Sequence, residues 1–220
     1  MRGIFISLEG QDGSGKTTAA RELAAAVRKL GREVVLTREP GGTALGERLR
    51  SILLDDESHR ISVAAEALLF AASRAQLVEE VIRPALERGA VVISDRFTDS
   101  SLAYQWGARG LPLEHLQAAQ ALATGNLEPD LTFLLDLSVE QSLRRQVGRA
   151  AEANRLDRES TSFHDGVRQA YHSLAAANPT RWRVIDAAQD VEQVADDIWC
   201  LVEESGLLHA DAGPAGHESE

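Results

Sequence analysis

The residues best equipped for chemistry stand near the amino terminus, in the run Glu9-Gly10-Gln11-Asp12-Gly13-Ser14-Gly15-Lys16-Thr17-Thr18. From Gly10 to Thr17 the spacing is G-x-x-x-x-G-K-[ST], and the run has the context that pattern needs: an apolar β-forming stretch (Ile4 to Leu8) before it and an alanine-rich helical stretch after it. Glycines at Gly10, Gly13 and Gly15 permit backbone conformations that a Cβ hinders, so successive N–H groups can converge on phosphate oxygens. The helix beginning near Lys16 adds the positive end of its dipole. Lys16 is expected to reach the β- and γ-phosphates of a nucleotide, and the Thr17 hydroxyl to sit on Mg²⁺.

Three further groups could serve such a cradle. Asp95-Arg96 follows an apolar run directly; an Asp there can hold Mg²⁺ and an Arg can grip phosphate oxygens bidentately. Phe70 and Arg74 are i, i+4 neighbours on a helix. Their spacing alone fits a core Phe and an Arg bonded to protein carbonyls better than a platform for a nucleobase. Arg144, Arg145, Arg149, Arg155 and Arg158 crowd one region of an acidic chain. A solvated face is the ordinary explanation, but phosphoryl transfer also needs cations, often from a loop that closes over the site. The six histidines show no metal-ligand spacing, so structural zinc and Ser-His-Asp hydrolysis are not expected.

The elements that must position these residues follow from periodicity. Thr18 to Leu30 reads as a helix closed by Gly31, Glu33 to Thr37 as a strand, and Arg38 to Thr43 as a turn. A helix follows with Leu45, Leu49, Ile52 and Leu53, then a polar break from Asp55 to Arg60. Ser62 is placed to cap a long helix running to Glu87, kinked near its end by Pro84. Ala90 to Ser94 and Leu131 to Leu137 read as strands, with a helix from Leu113 to Ala123 between them. Val139 to Val147 is a helix, Arg149 to Arg158 a mobile loop, Phe163 to Ala177 a helix, Trp182 to Ile185 a strand and Val191 to Glu203 the last helix. Alternating strands and helices imply an α/β fold, a five-stranded parallel sheet covered on both faces, with ligands at the carboxyl ends of the strands. The charged and glycine-rich segments fall at those ends. One domain over 1–205 is expected, with a lid about 148–160 and a disordered tail at 206–220.

Of the 220 residues 44% are hydrophobic and 26% charged, which is ordinary for a globular chain. The formal net charge of −11 argues against nonspecific binding to nucleic acid or a membrane surface. The one cysteine, Cys200, allows no intramolecular disulfide and falls opposite the apolar stripe of the last helix, so it is read as a bystander. No leader pattern and no membrane-length apolar run are seen, which points to the cytoplasm.

Together these segments resemble the bacterial thymidylate kinases. The likeness rests on Glu9 to Thr18, Thr37 to Thr43, Leu69 to Gln76, Ser94 to Phe97, Ser100 to Gln105, Leu156 to Glu159, Phe163 with Val167-Arg168 and Tyr171, and Val184 to Ala187. It implies a P-loop fold of the nucleoside-monophosphate-kinase kind and transfer of the γ-phosphate of ATP to thymidine monophosphate, with Mg²⁺. It further implies ATP contacts from Gly10, Gln11, Asp12, Gly13, Ser14, Gly15, Lys16, Thr17 and Thr18. Phe70 would stack on thymine, Arg74 bond its exocyclic oxygen, Ser101 face the base edge, Tyr104 lie against the deoxyribose, and Gln105 help hold the nucleotide. Asp12 would bond the 3′-hydroxyl, and Arg38 and Arg96 would hold the acceptor phosphate. The resemblance thus reverses the preference stated for Phe70 and Arg74. Some members carry an arginine where this chain has Gly13, so transition-state arginines are expected from the lid, at Arg149, Arg155 or Arg158. Glu159 joins Thr17 and Asp95 in the expected metal shell, and a homodimer is implied. Trp106 departs from the usual Gly after Ala-Tyr-Gln and bears on the local loop conformation.

Two other readings use the same residues. A related P-loop kinase could act on another nucleoside or nucleotide, and an NTP-binding switch could bind a protein partner. The second lacks an Asn-Lys-x-Asp guanine motif and leaves Phe70, Arg74 and Tyr104 without a task.

Overall fold

The computed structural model describes residues 2–54, 61–147 and 154–208. Arg149, the first part of the lid, the polar break and the segment 209–220 lie outside these described residues. Five strands, β1 (Ile4–Glu9), β2 (Val34–Arg38), β3 (Val91–Asp95), β4 (Leu131–Asp136) and β5 (Trp182–Asp186), form one parallel sheet in the order β2-β3-β1-β4-β5. Each strand ends on an ionisable residue: Glu9, Arg38, Asp95, Asp136 and Asp186. Because β1 is central, the glycine loop leaving it is flanked by the carboxyl ends of β3 and β4, where ligands of such sheets sit.

Alternation along the strands sorts side chains between two covered faces. Ile4, Ile6 and Leu8, with Ile93 and Phe133, pack on α1 (Lys16–Lys29) and α9 (Val191–Glu204) through Leu23, Val27, Val194 and Ile198. Phe5 and Val92 meet Leu77, Val78 and Ile82 on the opposite face. There too, Leu134 and Trp182 meet Val167 and Tyr171 of α8 (Thr161–Ala177). Leu8, Val27, Ile93 and Phe133 are fully buried, each contributing about 1.5–3 kcal/mol by removal from water.

The helix that carries Phe70 and Arg74 is α3 (Val63–Leu77), following α2 (Ala44–Leu54), and Ser62 caps it by accepting from Ala65 N at 3.3 Å. It continues through a π-helical turn, Val78–Ile82, into α4 (Arg83–Glu87). The irregularity therefore lies before Pro84 rather than at a kink on it. Pro84 has no N–H to donate and its ring crowds the Glu80 carbonyl, so the turn widens. Beyond β3 a short α5 (Thr98–Ser101) and a π-helical segment, Leu102–Ala108, replace what sequence left unassigned. Trp106 lies in that segment, half-buried against the α8 cluster. A Cβ on Gly107 would come within 2.3 Å of the Ala170 side chain, so α8 fits only because the residue after the indole is glycine.

The chain goes on through α6 (Leu113–Thr124), closed by Gly125 at φ 60°, and α7 (Val139–Val147). Cys200 is exposed on α9, as expected. The tail is corrected at its start: Leu207 and Leu208 pack on the α1–α9 core, and Arg32 Nη1 donates to the Leu208 carbonyl at 3.3 Å. Two apolar side chains adjacent to a core have more to gain by burial than by staying in water.

Candidate active site

At the end of β1 the chain turns at Gly10 (φ 139°), where a Cβ would lie 2.6 Å from the Leu135 carbonyl oxygen. Only glycine lets β4 approach that closely. Gly13 (φ 80°) likewise rests on α7, its absent Cβ 3.0 Å from the Ser142 carbonyl oxygen. Ser142 Oγ and Gln146 Nε2 both donate to the Asp12 carbonyl, at 2.7 and 3.1 Å. The loop is thereby fastened from outside. Lys16 is buried beneath it; its Nζ donates to the Gln11 carbonyl at 2.7 Å and stands 3.9 Å from Asp12 Oδ1. Desolvation, joined by the charge of Arg96, brings the Lys16 ammonium down to about 8. Thr17 Oγ1 donates to Asp95 Oδ2 at 2.5 Å, so strand β3 delivers its terminal carboxylate to the first turn of α1.

Arg96 adopts a left-handed backbone, φ 76°, and its guanidinium is held from every side. Nη1 donates to the Gly10 carbonyl (3.0 Å), Ser100 Oγ (3.0 Å) and Tyr171 OH (3.2 Å); Nη2 donates to Asp12 Oδ1 (2.7 Å) and Tyr104 OH (3.3 Å). The strained turn has a buried anchor. Glu9 accepts from Phe97 N at 2.7 Å, Ser100 Oγ at 2.5 Å and Tyr171 OH at 3.0 Å. Burial, with the charge of Asp99, pushes the Glu9 carboxyl up to about 7 against those bonds. Desolvation alone would also raise Asp12, but the charges of Arg96 and Lys16 outweigh it and hold that carboxyl well below the usual range. Facing it, Asp157 is pushed up to about 6 by desolvation and by Asp12 itself.

On the far side of Arg96, the inner face of α3 meets the π-helical segment. Arg74 is buried and fully engaged: Nε donates to Glu39 Oε2 (2.7 Å), Nη1 to Ser101 Oγ (3.0 Å) and to Gln120 Oε1, and Nη2 to the Phe97 carbonyl (3.0 Å). Burial raises the Glu39 carboxyl while Arg74 opposes the rise. A lone buried guanidinium would be costly; with Glu39 and three neutral acceptors it becomes a rigid wall.

One cavity of about 240 Å³ joins these parts. Lys16, Thr17, Thr18 and Arg38 line it together with Phe70, Arg74, Ser101, Tyr104 and Gln105; Thr17 is bonded to Asp95, and Arg96 is bonded both to Asp12 and to Tyr104. Gly13 and Gly15 also line it, whereas Gly10, Gln11 and Ser14 do not. Gln11 ties the loop to α8 by donating from Nε2 to the His164 carbonyl at 2.5 Å. The lid residues behave differently. Arg155, Arg158 and Glu159 are not part of the lining, though Asn154 and Leu156 are. Arg155 Nη2 donates to Glu66 Oε2 at 2.5 Å and to the Leu53 carbonyl at 3.3 Å. Glu159 accepts from Arg109 at 2.7 Å, whereas Thr17 and Asp95, expected with it in the metal shell, are bonded to each other.

Sequence reasoning missed several contributors. Arg50 lines the cavity from α2 and donates to the Pro40 carbonyl at 2.9 Å. Nothing in the pattern set it apart from Arg48 on the same helix. Glu9, Glu39 and Tyr171 gave no local signal, because their partners are 35 to 162 residues away in sequence.

This geometry, a phosphate loop and a base-sized pocket sharing an arginine, has known counterparts. The family model described as thymidylate kinase matches residues 8–198. The chain belongs to the thymidylate kinase family. A thymidylate kinase from Thermomicrobium roseum is 50% identical over 200 residues, spanning 91% of this chain and 94% of the relative. One from Symbiobacterium thermophilum is 51% identical over 201 residues, 91% and 93% of the two chains. Among solved structures, thymidylate kinase from Ehrlichia chaffeensis superposes with a TM-score of 0.75 at 30% identity, covering 92% of this chain and 99% of that one. As a member of the family, the chain is an ATP-dependent nucleoside monophosphate kinase that phosphorylates thymidine monophosphate to the diphosphate.

Proposed function

We propose that the transfer takes place along the single cavity, with ATP over the glycine loop and thymidine monophosphate against α3. The observation that carries this reading is Arg96, bonded to Asp12 at 2.7 Å and to the Gly10 carbonyl at 3.0 Å on the loop and to Tyr104 OH at 3.3 Å, with the Arg96, Asp12 and Tyr104 side chains all lining the same cavity. Arg96, with Arg38 and the neighbouring Arg50, holds the acceptor phosphate; Asp12 accepts from the 3′-hydroxyl. Phe70 stacks on the base, Arg74 and Ser101 meet its edge, Gln105 lies beside them, and Tyr104 closes the sugar side. Lys16 and the loop N–H groups hold the β- and γ-phosphates.

The residues also fit Mg²⁺. Thr17 and Asp95 offer two hard oxygen donors 2.5 Å apart beside Lys16, and no group of three His, Cys, Asp or Glu gathers among the described residues. That suits an ion that keeps waters and phosphate oxygens as its other ligands rather than an all-protein cage. Bound there, it would supply positive charge to the phosphates. The attacking group is already anionic near neutral pH, so no strong base is needed; positioning and charge carry the acceleration. Arg155, Arg158 or Arg149 brings the remaining cation from the lid.

Two wider features belong to the same reading. Leu45 and Ile52 on α2, Leu68 on α3 and Leu122 on α6 are 45%, 49%, 62% and 88% exposed on neighbouring helices. This supports a homodimer through that face, and Leu68→Arg is expected to give a monomer by sedimentation. No helix of the described residues is long and apolar enough to cross a membrane, in keeping with a cytoplasmic enzyme. A coupled assay over the nucleoside monophosphates tests the acceptor assignment: thymidine monophosphate should have the highest kcat/KM, and preference for any other would overturn it.

A further inference from the structure

Glu66 lies on α3 one turn before Phe70, is 1% exposed, and does not line the cavity. Its Oε1 accepts from Gln105 Nε2 at 2.9 Å and from Arg109 Nε at 3.4 Å; its Oε2 accepts from Arg155 Nη2 at 2.5 Å and from Arg109 Nη2 at 3.5 Å. A carboxylate facing two guanidinium groups offers only acceptors. Gln105 has no choice but to present its NH₂ to Glu66. That leaves Gln105 Oε1, buried and without a hydrogen-bond partner among the described residues, on a side chain that lines the acceptor end of the cavity.

We propose that Glu66 is a positioning residue that sets base discrimination: by fixing the amide of Gln105, it makes an oxygen, not an NH₂, the end available to a base. The inference rests on the reading that Gln105 lies against the base. An acceptor at that edge suits a pyrimidine with a ring N–H, as in thymine, and opposes one whose ring nitrogen is a bare acceptor, as in cytosine. A site that pairs its buried polar group with one base leaves it unpaired with the other, which is the stronger form of discrimination.

Glu66→Gln tests this with minimal change of shape. Glutamine at 66 can donate as well as accept, so the Gln105 amide is free to turn over. Arg109 retains Glu159 at 2.7 Å and the Phe163 ring at 4.6 Å, and Arg155 retains the Leu53 carbonyl, so neither charge is orphaned. Values of kcat/KM are measured for thymidine and deoxycytidine monophosphates in the full chain, Glu66→Gln, Glu66→Asp and Gln105→Met. The thymidine preference should fall by about tenfold or more in Glu66→Gln, mostly through KM, and stay within about twofold of the parent in Glu66→Asp, which is still acceptor-only. Equal losses for both acceptors in Glu66→Gln, with the ratio unchanged, would mark a merely structural carboxylate and overturn the proposal. Gln105→Met probes the same link without disturbing the ion pairs, so the test survives a Glu66 variant that does not fold. Narrowing there without narrowing in Glu66→Gln overturns the role of Glu66 and leaves the base pocket standing. No narrowing in Gln105→Met overturns the reading of Gln105 itself.

Discussion

The glycine loop and the lid both bring cations toward the same cavity, and they are built in opposite ways. Around Gly10 to Thr18 the charged groups have their positions fixed by hydrogen bonds, many of them to residues distant in the chain. Lys16 is pinned to the Gln11 carbonyl, Arg96 to Asp12 and four other oxygens, and the loop to α7 and β4. In the lid segment from Asn154 to Glu159, Asp157 faces Asp12, but Arg155 and Glu159 are held away from the cavity. Arg155 is bound to Glu66 and Glu159 to Arg109, and none of the four lines the cavity. Groups that bind phosphate in the ground state gain from being fixed in advance, because reorganisation is then avoided during reaction. A cation needed only as charge develops can be held elsewhere, and storing it in an ion pair keeps an uncompensated arginine out of the cavity.

Removing one member from each region is the sharpest way to break this contrast. Lys16→Ala should lower kcat by about a thousandfold with the thermal midpoint nearly unchanged, since the role proposed for the lysine is on ligand phosphate rather than in the core. Near-normal turnover in the purified variant would remove Lys16 from the reaction. If Arg155 is the lid cation, Arg155→Ala should lower kcat by about a hundredfold and leave both KM values alone, the pattern of a contact made only in the transition state. A rise in KM with kcat intact would place Arg155 with the ground-state group instead. A smaller effect concerns the rigid acceptor wall. Tyr104→Ala should narrow the preference for deoxy over ribo acceptors by about tenfold, and Tyr104→Phe by less than about twofold, because the exclusion is steric. Equal ratios for the two variants would contradict it.

The smallest expected effect follows from the same preorganisation. Desolvation and the nearby Arg96, opposed by Asp12, Asp95 and Glu9, set the Lys16 ammonium at about 8. The charge is therefore present below pH 8 and lost as pH rises through it. The Kd for ATP, by fluorescence titration, should weaken by about fourfold between pH 7 and pH 8.5, and a flat profile would mean that Lys16 keeps its proton.

Most of the sheet and the loop were legible in sequence because their determinants are local. The Gly31 helix end and the Ser62 cap are both read within a few residues, and each lies where the pattern put it. The α5 and π-helical segment was not legible, because its first N–H is satisfied by Glu9, 88 residues earlier. Arg155 and Glu159 were placed in the site by family resemblance, yet ion pairs with residues 89 and 50 positions away hold them outside it. Spacing at Phe70 and Arg74 favoured a core role. Burial bears out half of that: Arg74 is indeed bonded within the protein, to Glu39, Ser101, Gln120 and the Phe97 carbonyl, while also forming a cavity wall. Periodicity could not separate those alternatives, since a pocket wall and a core share one helix face.

The most direct test of a fixed cradle and a delivered lid cation is a crystal structure with thymidine monophosphate and a non-hydrolysable ATP analogue both bound. The account predicts Lys16 and Arg96 where they stand here, and a lid arginine on the γ-phosphate, with the contact between Arg155 and Glu66 broken if Arg155 is that residue. A complex in which Arg96 has left Asp12 and Tyr104 to follow the phosphate, while every lid arginine stays off it, would contradict the account.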